Sequence, residues 1–335
     1  MKIFTFRFFL ALLAVTAACP AAAADIAGFA DRPEVQAFIA EMREKHGFDS
    51  EVLTRAFARI KPIPAVIRTI QPPSDPSIRS WQNYRARYVE PHRIALGLRF
   101  WDEHRTALME ARARSGVPEE IIVAIIGVET IYGHLTGHYS TFAALATLAF
   151  DYPPRAPLFR RELEELLLLA RETGRDPLSF KGSYAGAIGL PQFLPSSVRR
   201  YAINGSGNDH IDLSASPADA IASVANFLKE HGWVPDGPVA AEAHVDGEQF
   251  AALLDEGIKP QHKASELQAW GVVADNAPDQ PAALIDLVTP QQPMEYRLGY
   301  RNFYVLTRYN HSSFYAMAVY DLGQTLRAEH EASGQ

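Results

Sequence analysis

The segment VPEEIIVAIIGVETIYGHLTGH, from Val117 to His138, contains eight consecutive small or apolar residues, Ile121 to Val128, followed directly by Glu129. Pro118 and the two glutamates after it are typical of a helix start, because proline fits the first turn and acidic side chains favour the positive end of the helix dipole. The apolar run has no polar face, so the sequence predicts a helix surrounded by protein on all sides. The rest of the fold must therefore pack around this helix.

Glu129 lies at the carboxyl end of the predicted helix, where the dipole and desolvation both disfavour a negative charge and would raise its pKa. A carboxyl group that stays protonated near neutral pH can donate a proton to a leaving-group oxygen. The alternative is that Glu129 turns out to solvent or pairs with an arginine. Spacing alone favours this ordinary explanation.

The amino terminus, MKIFTFRFFLALLAVTAACPAAAAD, has the layout of a secretory signal with a basic start and an 11-residue apolar run. Small residues before Ala24 predict cleavage after that position, so residues 1–24 are interpreted as a signal peptide. Cys19 supports a minority interpretation, an outer-membrane lipoprotein anchored through this cysteine. Thr16, three residues before it, departs from the aliphatic residue typical of lipoprotein signals.

Composition excludes several classes of function. Cleavage would change the formal charge from −7 to −9, because the signal contains two basic residues and no acidic ones, and an acidic chain without clustered Lys or Arg argues against nucleic acid as a partner. Cys19 is the only cysteine, so the mature chain has neither disulfide nor cysteine nucleophile. The sequence has no HExxH, CxxC or GxSxG motif, and no second apolar stretch long enough for a transmembrane helix.

Hydrophobic periodicity predicts a mainly helical protein with one mixed segment. Two short amphipathic helices are predicted within 31–60, and a five-proline segment after them is interpreted as an extended connection. Short alternating runs after Gly232 indicate a small mixed α/β lobe, with one short helix at Gly247 to Asp255. The predicted division is an N-terminal helical lobe with its proline-rich connection (25–80), a helical core (81–234), the mixed lobe (235–298) and a return to helix (299–335).

A glycine-rich segment, KGSYAGAIGLPQFLPSSVRRY (Lys181 to Tyr201), allows a close approach of the backbone to a ligand or to another helix. Ser183 and Gln192 offer neutral hydrogen bonds, which suit an uncharged polar ligand such as a sugar. The glycine spacing does not match a nucleotide-binding motif. A tight interhelical turn is the alternative that the residues alone favour.

The segment NGSGNDHIDLSASPAD (Asn204 to Asp219) has the alternating oxygen groups of an EF-hand-like loop in Asn204, Ser206 and Asn208, with the His210 carbonyl as a further candidate ligand. An EF-hand normally begins with Asp and has Gly at its sixth position, where this chain has Asn204 and Asp209. With so few carboxylates, any Ca²⁺ site is expected to be weak. The residues alone favour a turn that binds no metal.

The segment NFYVLTRYNHSSFYAMAVYDLG, near the carboxyl end, contains aromatic faces and neutral hydrogen-bonding groups in Tyr309, Asn310, Tyr315 and Tyr320. This combination is common in sugar-binding clefts. It is equally common in an ordinary amphipathic helix, and carries little weight alone.

Taken together, the segments IIGVETIYG, ALATLAFDYP, KGSYAGAIGLPQFLPSS, SPADAIASVANFLKEHGW and FYVLTRYNHSSFYAMAV, in this order, resemble the lytic murein transglycosylases of the MltB type. The resemblance covers about residues 80–325. It implies a mainly α (α+β) fold, with a lysozyme-like helical core, a flanking helical lobe and a small mixed α/β lobe. It also implies a periplasmic enzyme that cleaves the β-1,4 bond between N-acetylmuramic acid and N-acetylglucosamine in peptidoglycan, leaving a 1,6-anhydromuramoyl end.

The same resemblance assigns roles to residues of this chain. The VET motif matches the family's single catalytic carboxylate to Glu129. Family cleft residues match Ser183, Gln192, Phe193, Tyr309 and Tyr315, and Asn310 and Tyr84 are added as substrate-binding candidates. The family's calcium loop falls on Asn204, Ser206, Asn208, His210 and Asp219. Because Asn replaces Asp at the first and third ligand positions, any structural Ca²⁺ is expected to bind weakly, and no cofactor is expected to be required.

The sequence contains no paired-carboxylate motif around Glu129. The expected mechanism is therefore that Glu129 acts first as the acid and then as the base, with a nucleophile supplied by the sugar itself. Glycan strands of peptidoglycan are the expected partner, and other cell-wall enzymes are further candidates. Two alternatives stay open, a lysozyme-like muramidase that uses water and a non-catalytic peptidoglycan-binding protein.

Overall fold

The computed structural model describes residues 28–72 and 79–334. The predicted signal peptide and Cys19 lie outside these residues. Within them the fold is mainly helical with a small antiparallel sheet, as the sequence predicts. No helix in this part of the chain has the length and apolar character needed to cross a membrane.

The first three helices are α1 (Pro33–His46), α2 (Ser50–Ala58) and α3 (Pro64–Ile70). The first two confirm the prediction for 31–60. The third corrects the prediction of an extended connection, because Pro64 lies in the first turn of α3, where its missing N–H and fixed φ cost the helix nothing. The number of prolines in a segment does not show whether one of them lies at the start of a helix, where it is tolerated.

The central part of the chain contains helices α4 (Trp81–Tyr88), α5 (Pro91–Glu103), α6 (Arg105–Ser115), α7 (Glu119–Thr130), α8 (Thr141–Asp151), α9 (Ala156–Glu172), α10 (Pro195–Tyr201) and α11 (Pro217–Glu230). All residues of α7 except Glu129 are buried. Helix α7 packs against α5, α6, α11 and α15 (Ser313–Ala332), which confirms that it is surrounded by protein.

The N-terminal helices share a buried cluster with α8 and α9. It includes Phe38 and Phe57 from the first two helices, and Phe142 and Leu166 from the later pair. The ring centroids of Phe57 and Phe142 lie 4.9 Å apart. The predicted N-terminal lobe therefore has its core in common with part of the predicted central region.

The strands form two antiparallel sheets. Strands β1 (Tyr139–Ser140) and β2 (Lys181–Gly182) pair with each other. The second sheet has the order β4-β6-β7-β3-β5, with β3 (Ala240–Val245), β4 (His262–Lys263), β5 (Val272–Val273), β6 (Pro281–Leu287) and β7 (Glu295–Gly299). Helices α12 (Ala251–Asp255) and α13 (Ala264–Leu267) lie within this region, and α12 confirms the short helix predicted there.

Helix α14 (Arg301–Tyr309) and helix α15 return the chain to the helical body. Helix α15 contacts α4, α5, α7 and α14. We propose the predicted divisions at 234 and 298 as the bounds of the mixed lobe. This proposal is supported by a separate buried cluster within the larger sheet, which contains Leu253, Leu284 and Leu298. The division at 80 stays a prediction, because the cluster of Phe57 and Phe142 extends across it.

Candidate active site

Glu129 lies in the last turn of α7, with part of its surface accessible to solvent between buried neighbours. The hydroxyl of Tyr315, on α15, donates a hydrogen bond of 2.7 Å to Oε1 of Glu129. Burial raises the pKa of Glu129 to about 7, although the hydrogen bond from Tyr315 acts in the opposite direction. The carboxyl group can therefore be protonated or ionised near neutral pH.

Two tyrosines connect this carboxyl group to the glycine-rich segment. The rings of Tyr315 and Tyr309 stack, with centroids 6.3 Å apart and planes inclined by 12°. The Tyr309 hydroxyl donates to the backbone oxygen of Pro191 at 2.6 Å. The ring of Phe193 lies 5.8 Å from that of Tyr309 and is almost fully buried. Four of the residues chosen from the sequence, Glu129, Phe193, Tyr309 and Tyr315, thus form one contiguous cluster.

Tyr84 belongs to the same neighbourhood. Its ring lies 5.0 Å from that of Tyr88 and 5.7 Å from that of Phe314, the residue before Tyr315. Burial raises the pKa of Tyr84 above its ordinary value, and the charges of Tyr88 and Glu129 add to the effect. Tyr84 is therefore close enough to Glu129 to respond to its ionisation.

The glycine-rich segment is folded tightly against its neighbours. A Cβ atom on Gly189 would overlap the Leu213 carbonyl, so the glycine is required for this approach. Gln192 has a left-handed backbone with φ of 51°, and its amide nitrogen donates to Gly189 O at 2.9 Å and Thr136 O at 3.1 Å. Within residues 28–72 and 79–334, no donor is bonded to the Gln192 side-chain oxygen, which is therefore the group of this amide that a ligand can use.

Ser183 occupies the opposite end of this segment. Its backbone N–H donates to Ala187 O at 2.9 Å, and its hydroxyl accepts from Ala187 N at 3.2 Å. The described contacts of Ser183 do not include Glu129. The structure therefore places Ser183 in a closed turn of the glycine-rich segment, and does not join its side chain to the carboxyl group.

A cavity of ≈ 930 Å³ extends from this cluster and is lined by Gln192, Phe193, Tyr309 and the exposed Asn310. Four arginines also line it: Arg199 and Arg200 from α10, Arg308 from α14, and Arg155 from the turn that precedes α9. Arg199 and Arg200 end the glycine-rich segment, whereas Arg155 and Arg308 lie far from it in the chain, so no sequence pattern joins the four. Tyr320 lies elsewhere, beside a different cavity of ≈ 450 Å³.

The EF-hand-like loop is held by hydrogen bonds within the chain. Asp219 is fully buried, and both its oxygens accept from backbone N–H groups, those of Gly205 and Ser206 at 2.8 Å and that of Asp212 at 2.9 Å. Burial alone would raise the pKa of Asp219, but these donors outweigh it and lower the pKa.

The other predicted ligands of this loop bond to one another. The Asn204 amide nitrogen donates to the Asn208 backbone oxygen, and the Asn204 side-chain oxygen accepts from Gly207 N at 2.7 Å. Ser206 lies beside Asn204, and His210 follows in the same exposed turn. Among the described residues, no group of three or more His, Cys, Asp and Glu side chains is arranged to hold a metal. Of the five predicted ligands, Asp219 alone has a carboxylate.

A family model described as Transglycosylase SLT domain matches residues 30–324. The membrane-bound lytic murein transglycosylase B of Escherichia coli (strain K12) is 44% identical over 315 residues, which cover 89% of this chain and 84% of that protein.

Two solved structures show the same fold. The E. coli lytic transglycosylase Slt35 in complex with calcium is 40% identical, with a TM-score of 0.79 over 90% of this chain and 94% of that one. SltB3 from Pseudomonas aeruginosa in complex with NAG-anhNAM-pentapeptide is 30% identical, with a TM-score of 0.75 over 88% of this chain and 79% of that one. A family match across most of the sequence, together with these identities, shows that the chain belongs to the MltB-type lytic murein transglycosylases, enzymes that act on peptidoglycan.

Proposed function

We propose that Glu129 is the single catalytic carboxyl group, and that it cleaves the β-1,4 bond between N-acetylmuramic acid and N-acetylglucosamine with formation of a 1,6-anhydromuramoyl end. The observation that carries this proposal is a partly exposed carboxyl group, bonded to the Tyr315 hydroxyl, whose pKa burial raises to about 7. A general acid works best when its pKa is close to the working pH.

The environment of Glu129 supports a reaction with one carboxylate. Burial and the Tyr315 hydrogen bond account for its pKa, and no second carboxylate of the described chain acts on it. Ordinary glycosidases need a second carboxylate, either as the nucleophile or to activate a water molecule. Here the substrate must supply the nucleophile.

The proposed reaction balances without water. Protonated Glu129 donates its proton to the glycosidic oxygen, the bond from this oxygen to the anomeric carbon breaks, and the N-acetylglucosamine leaves as an alcohol. The muramoyl N-acetyl oxygen stabilises the positive anomeric carbon. The Glu129 carboxylate then accepts the proton of the muramoyl C6 hydroxyl, while the C6 oxygen bonds to the anomeric carbon. The proton transfer restores the acid form of Glu129. The Tyr315 hydroxyl stabilises the intervening carboxylate.

The remaining cleft residues are proposed to bind the glycan strand. The half-buried rings of Tyr84 and Tyr309 provide apolar faces for the sugars, while Gln192, Asn310 and Ser183 provide neutral hydrogen bonds. Phe193 and Tyr315 are almost fully buried, and support this surface from below. The SltB3 complex supports this class of ligand, because its name includes an N-acetylglucosamine–anhydromuramic acid unit with a peptide. We also propose that other cell-wall enzymes are partners.

Product analysis tests the assignment. Purified peptidoglycan sacculi are digested with the wild type, Glu129→Gln and Glu120→Gln, and the soluble products are analysed by mass spectrometry. Glu120 is a matched control because it is a buried acid at the other end of α7. We expect anhydro products from the wild type and the control, and a loss of at least about 100-fold for Glu129→Gln. Anhydro products at the wild-type rate from that variant would refute the role of Glu129, and hydrated products would support a muramidase.

For the EF-hand-like loop we propose weak Ca²⁺ binding that activity does not require, although the Slt35 relative was solved with calcium. This proposal is supported by the side chains of Asn204 and Asp219, which already form hydrogen bonds within the chain. We further propose that the chain is exported to the periplasm through residues 1–24, with a lipid anchor on Cys19 as the minority alternative; the E. coli relative is named membrane-bound.

A further inference from the structure

The backbone directly after Glu129 adopts an unusual conformation. Ile131 and Tyr132 are consecutive non-glycine residues with φ of 50° and 56°, and Gly133 follows with φ of 93°. Left-handed backbone is especially unfavourable for a β-branched residue such as isoleucine. Such a turn persists only where surrounding contacts determine it, and it is commonly part of a functional site.

One face of this turn is fixed by the helical body. The Ile131 N–H donates to Gly127 O at 3.1 Å, and the buried Arg93 donates to the same oxygen. The Tyr132 phenol lies between α5 and α7, where a Cβ on either Gly97 or Gly127 would overlap its hydroxyl. The turn therefore cannot move toward these helices.

The other face of the turn is joined to the glycine-rich segment by Thr130. This side chain is fully buried, and its hydroxyl accepts from Gly133 N at 3.1 Å. The same hydroxyl lies 3.1 Å from Leu190 O and 3.2 Å from Ile126 O. A hydroxyl has one proton, and the Leu190 oxygen has no other donor among the described residues, so Leu190 O is the acceptor that needs this bond.

The consequence lies in the residues that follow Leu190. The next carbonyl, that of Pro191, accepts from Tyr309, and the residue after it is Gln192. Thr130 therefore bonds to the segment that holds Gln192 and Phe193, while its own backbone holds Glu129. Thr130 thus connects Glu129, its neighbour in the chain, to the segment that contains Gln192 and Phe193.

We propose that Thr130 is a positioning residue for the reaction: its hydroxyl sets the distance between the Glu129 carboxyl group and the sugar-binding wall formed by Gln192 and Phe193. This inference rests on the proposed role of Glu129. Without the hydroxyl the aromatic faces still bind the glycan, but the acid is displaced from the glycosidic oxygen. Displacements of about 1 Å at a reacting group reduce rates by roughly 100-fold.

The chain contains a matched control in Thr147 on α8. Thr147 is also fully buried, its hydroxyl donates to the carbonyl four residues earlier, Ala143 O, at 2.7 Å, and it accepts from the distant Ile63 N at 3.0 Å. Replacing either threonine by valine keeps the shape and leaves one backbone N–H without its partner, and Thr130→Val also leaves the Leu190 oxygen without its donor. The two variants differ in their distance from the cleft.

The experiment measures kcat and apparent KM on solubilised peptidoglycan, together with the melting temperature, for Thr130→Val, Thr130→Ser, Thr147→Val and Glu129→Gln. We expect Thr130→Val to lower kcat by about 10- to 100-fold with KM within about threefold, the pattern of a lost transition-state interaction. Thr130→Ser restores the hydroxyl and is expected to restore kcat to within about threefold of the wild type. Thr147→Val is expected to keep the wild-type kcat at a similarly lowered melting temperature.

A kcat for Thr130→Val equal to that of Thr147→Val would overturn the proposal, as would a Thr130→Ser variant as slow as the valine variant. If Thr130→Val does not fold, Thr130→Ala replaces it with the same expectations. Activity in Glu129→Gln would refute the proposed function itself, whereas an inactive Glu129→Gln beside a fully active Thr130→Val would refute only the role of Thr130.

Discussion

At the scale of single residues, the chemistry depends on two opposing influences on Glu129. Burial favours the neutral acid, which is the form that donates a proton, and the Tyr315 hydroxyl favours the carboxylate, which is the form that accepts one. A group that must act as acid and then as base needs both forms at similar free energy. A pKa of about 7 meets this requirement near neutral pH.

The first prediction concerns pH. Because the reaction starts from protonated Glu129, kcat/KM should fall as the pH rises through about 7. Tyr315→Phe removes the donor that lowers this pKa, so the alkaline limb should move to higher pH while the rate at its plateau falls, by roughly 10-fold. A pH–rate series from pH 5 to 9 on solubilised peptidoglycan measures both effects. An alkaline limb displaced to lower pH would contradict the assigned role of Tyr315.

The second prediction concerns stability. The pKa of Glu129 is raised in the folded state, so the folded protein binds more protons than the unfolded chain and loses stability as the pH rises from about 4.5 toward 7. Glu129→Gln removes this cost, and should be more stable than the wild type by on the order of 2 kcal/mol at pH 8. At pH 4, where Glu129 and the glutamine that replaces it are both neutral, the difference in stability between the two proteins should be close to zero. Urea unfolding at the two pH values, with Glu120→Gln for comparison, measures the change.

The sequence was sufficient to predict the buried helix and an ionisable group at its end, because both follow from local composition. It was insufficient for the contact that tunes this group, since Tyr315 lies 186 residues from Glu129 in the chain. The left-handed turn at Ile131 and Tyr132 was also not predictable, because local propensity opposes it and only tertiary contacts hold it.

At the scale of elements, α7 could be predicted from local composition, whereas α3 could not be predicted from its proline content. Helix α7 was predicted correctly, since eight apolar residues require burial whatever surrounds them. Helix α3 was missed because prolines were counted as helix breakers without regard to position, and Pro64 begins the helix instead of interrupting it. In the cleft, the scattered arginines are united only by the packing of α9, α10 and α14, which periodicity does not reveal.

The EF-hand-like loop gives the third prediction. Its two asparagines supply no charge, and Asp219 already accepts backbone hydrogen bonds with both oxygens. We therefore expect about 5 mM EDTA to change the melting temperature by less than about 1 °C. Ca²⁺ should bind with a Kd no tighter than roughly the millimolar range.

The double variant Asn204→Asp/Asn208→Asp provides the complementary test. It adds two carboxylates at the first and third ligand positions, so Ca²⁺ should now raise its melting temperature, by several degrees at roughly 100 times Kd. The measurement is differential scanning calorimetry with and without Ca²⁺. A wild-type protein that is strongly destabilised by EDTA would show that the loop binds the metal despite its asparagines.

At the scale of the whole molecule, strand β6 connects the larger sheet to the helical body. Ala283, Ile285 and Leu287 belong to the same buried cluster as α7 and α15, whereas Ala282 and Leu284 belong to the cluster within the sheet. Alternate residues of a strand point to opposite faces, so β6 is buried on both. The apolar sequence PAALIDL is therefore explained by two cores that meet at one strand.

This arrangement gives the fourth prediction, that the mixed lobe and the helical body unfold together. Ile285→Ala truncates a buried side chain on the helical side and Leu284→Ala one on the sheet side, and each should destabilise the whole protein by about 2–5 kcal/mol. Val273→Ala, at an exposed position of β5, should change stability by less than about 0.5 kcal/mol. Urea unfolding can be followed by far-UV circular dichroism, dominated by the helices, and by the fluorescence of Trp270, which packs against the sheet cluster. The Trp270 signal is obtained as the difference between the protein with and without a Trp270→Phe substitution. Coincident transitions that move together in both truncation variants are expected, because each core contributes to the same strand. A separate early transition of Trp270, shifted by Leu284→Ala and not by Ile285→Ala, would instead show that the lobe unfolds on its own.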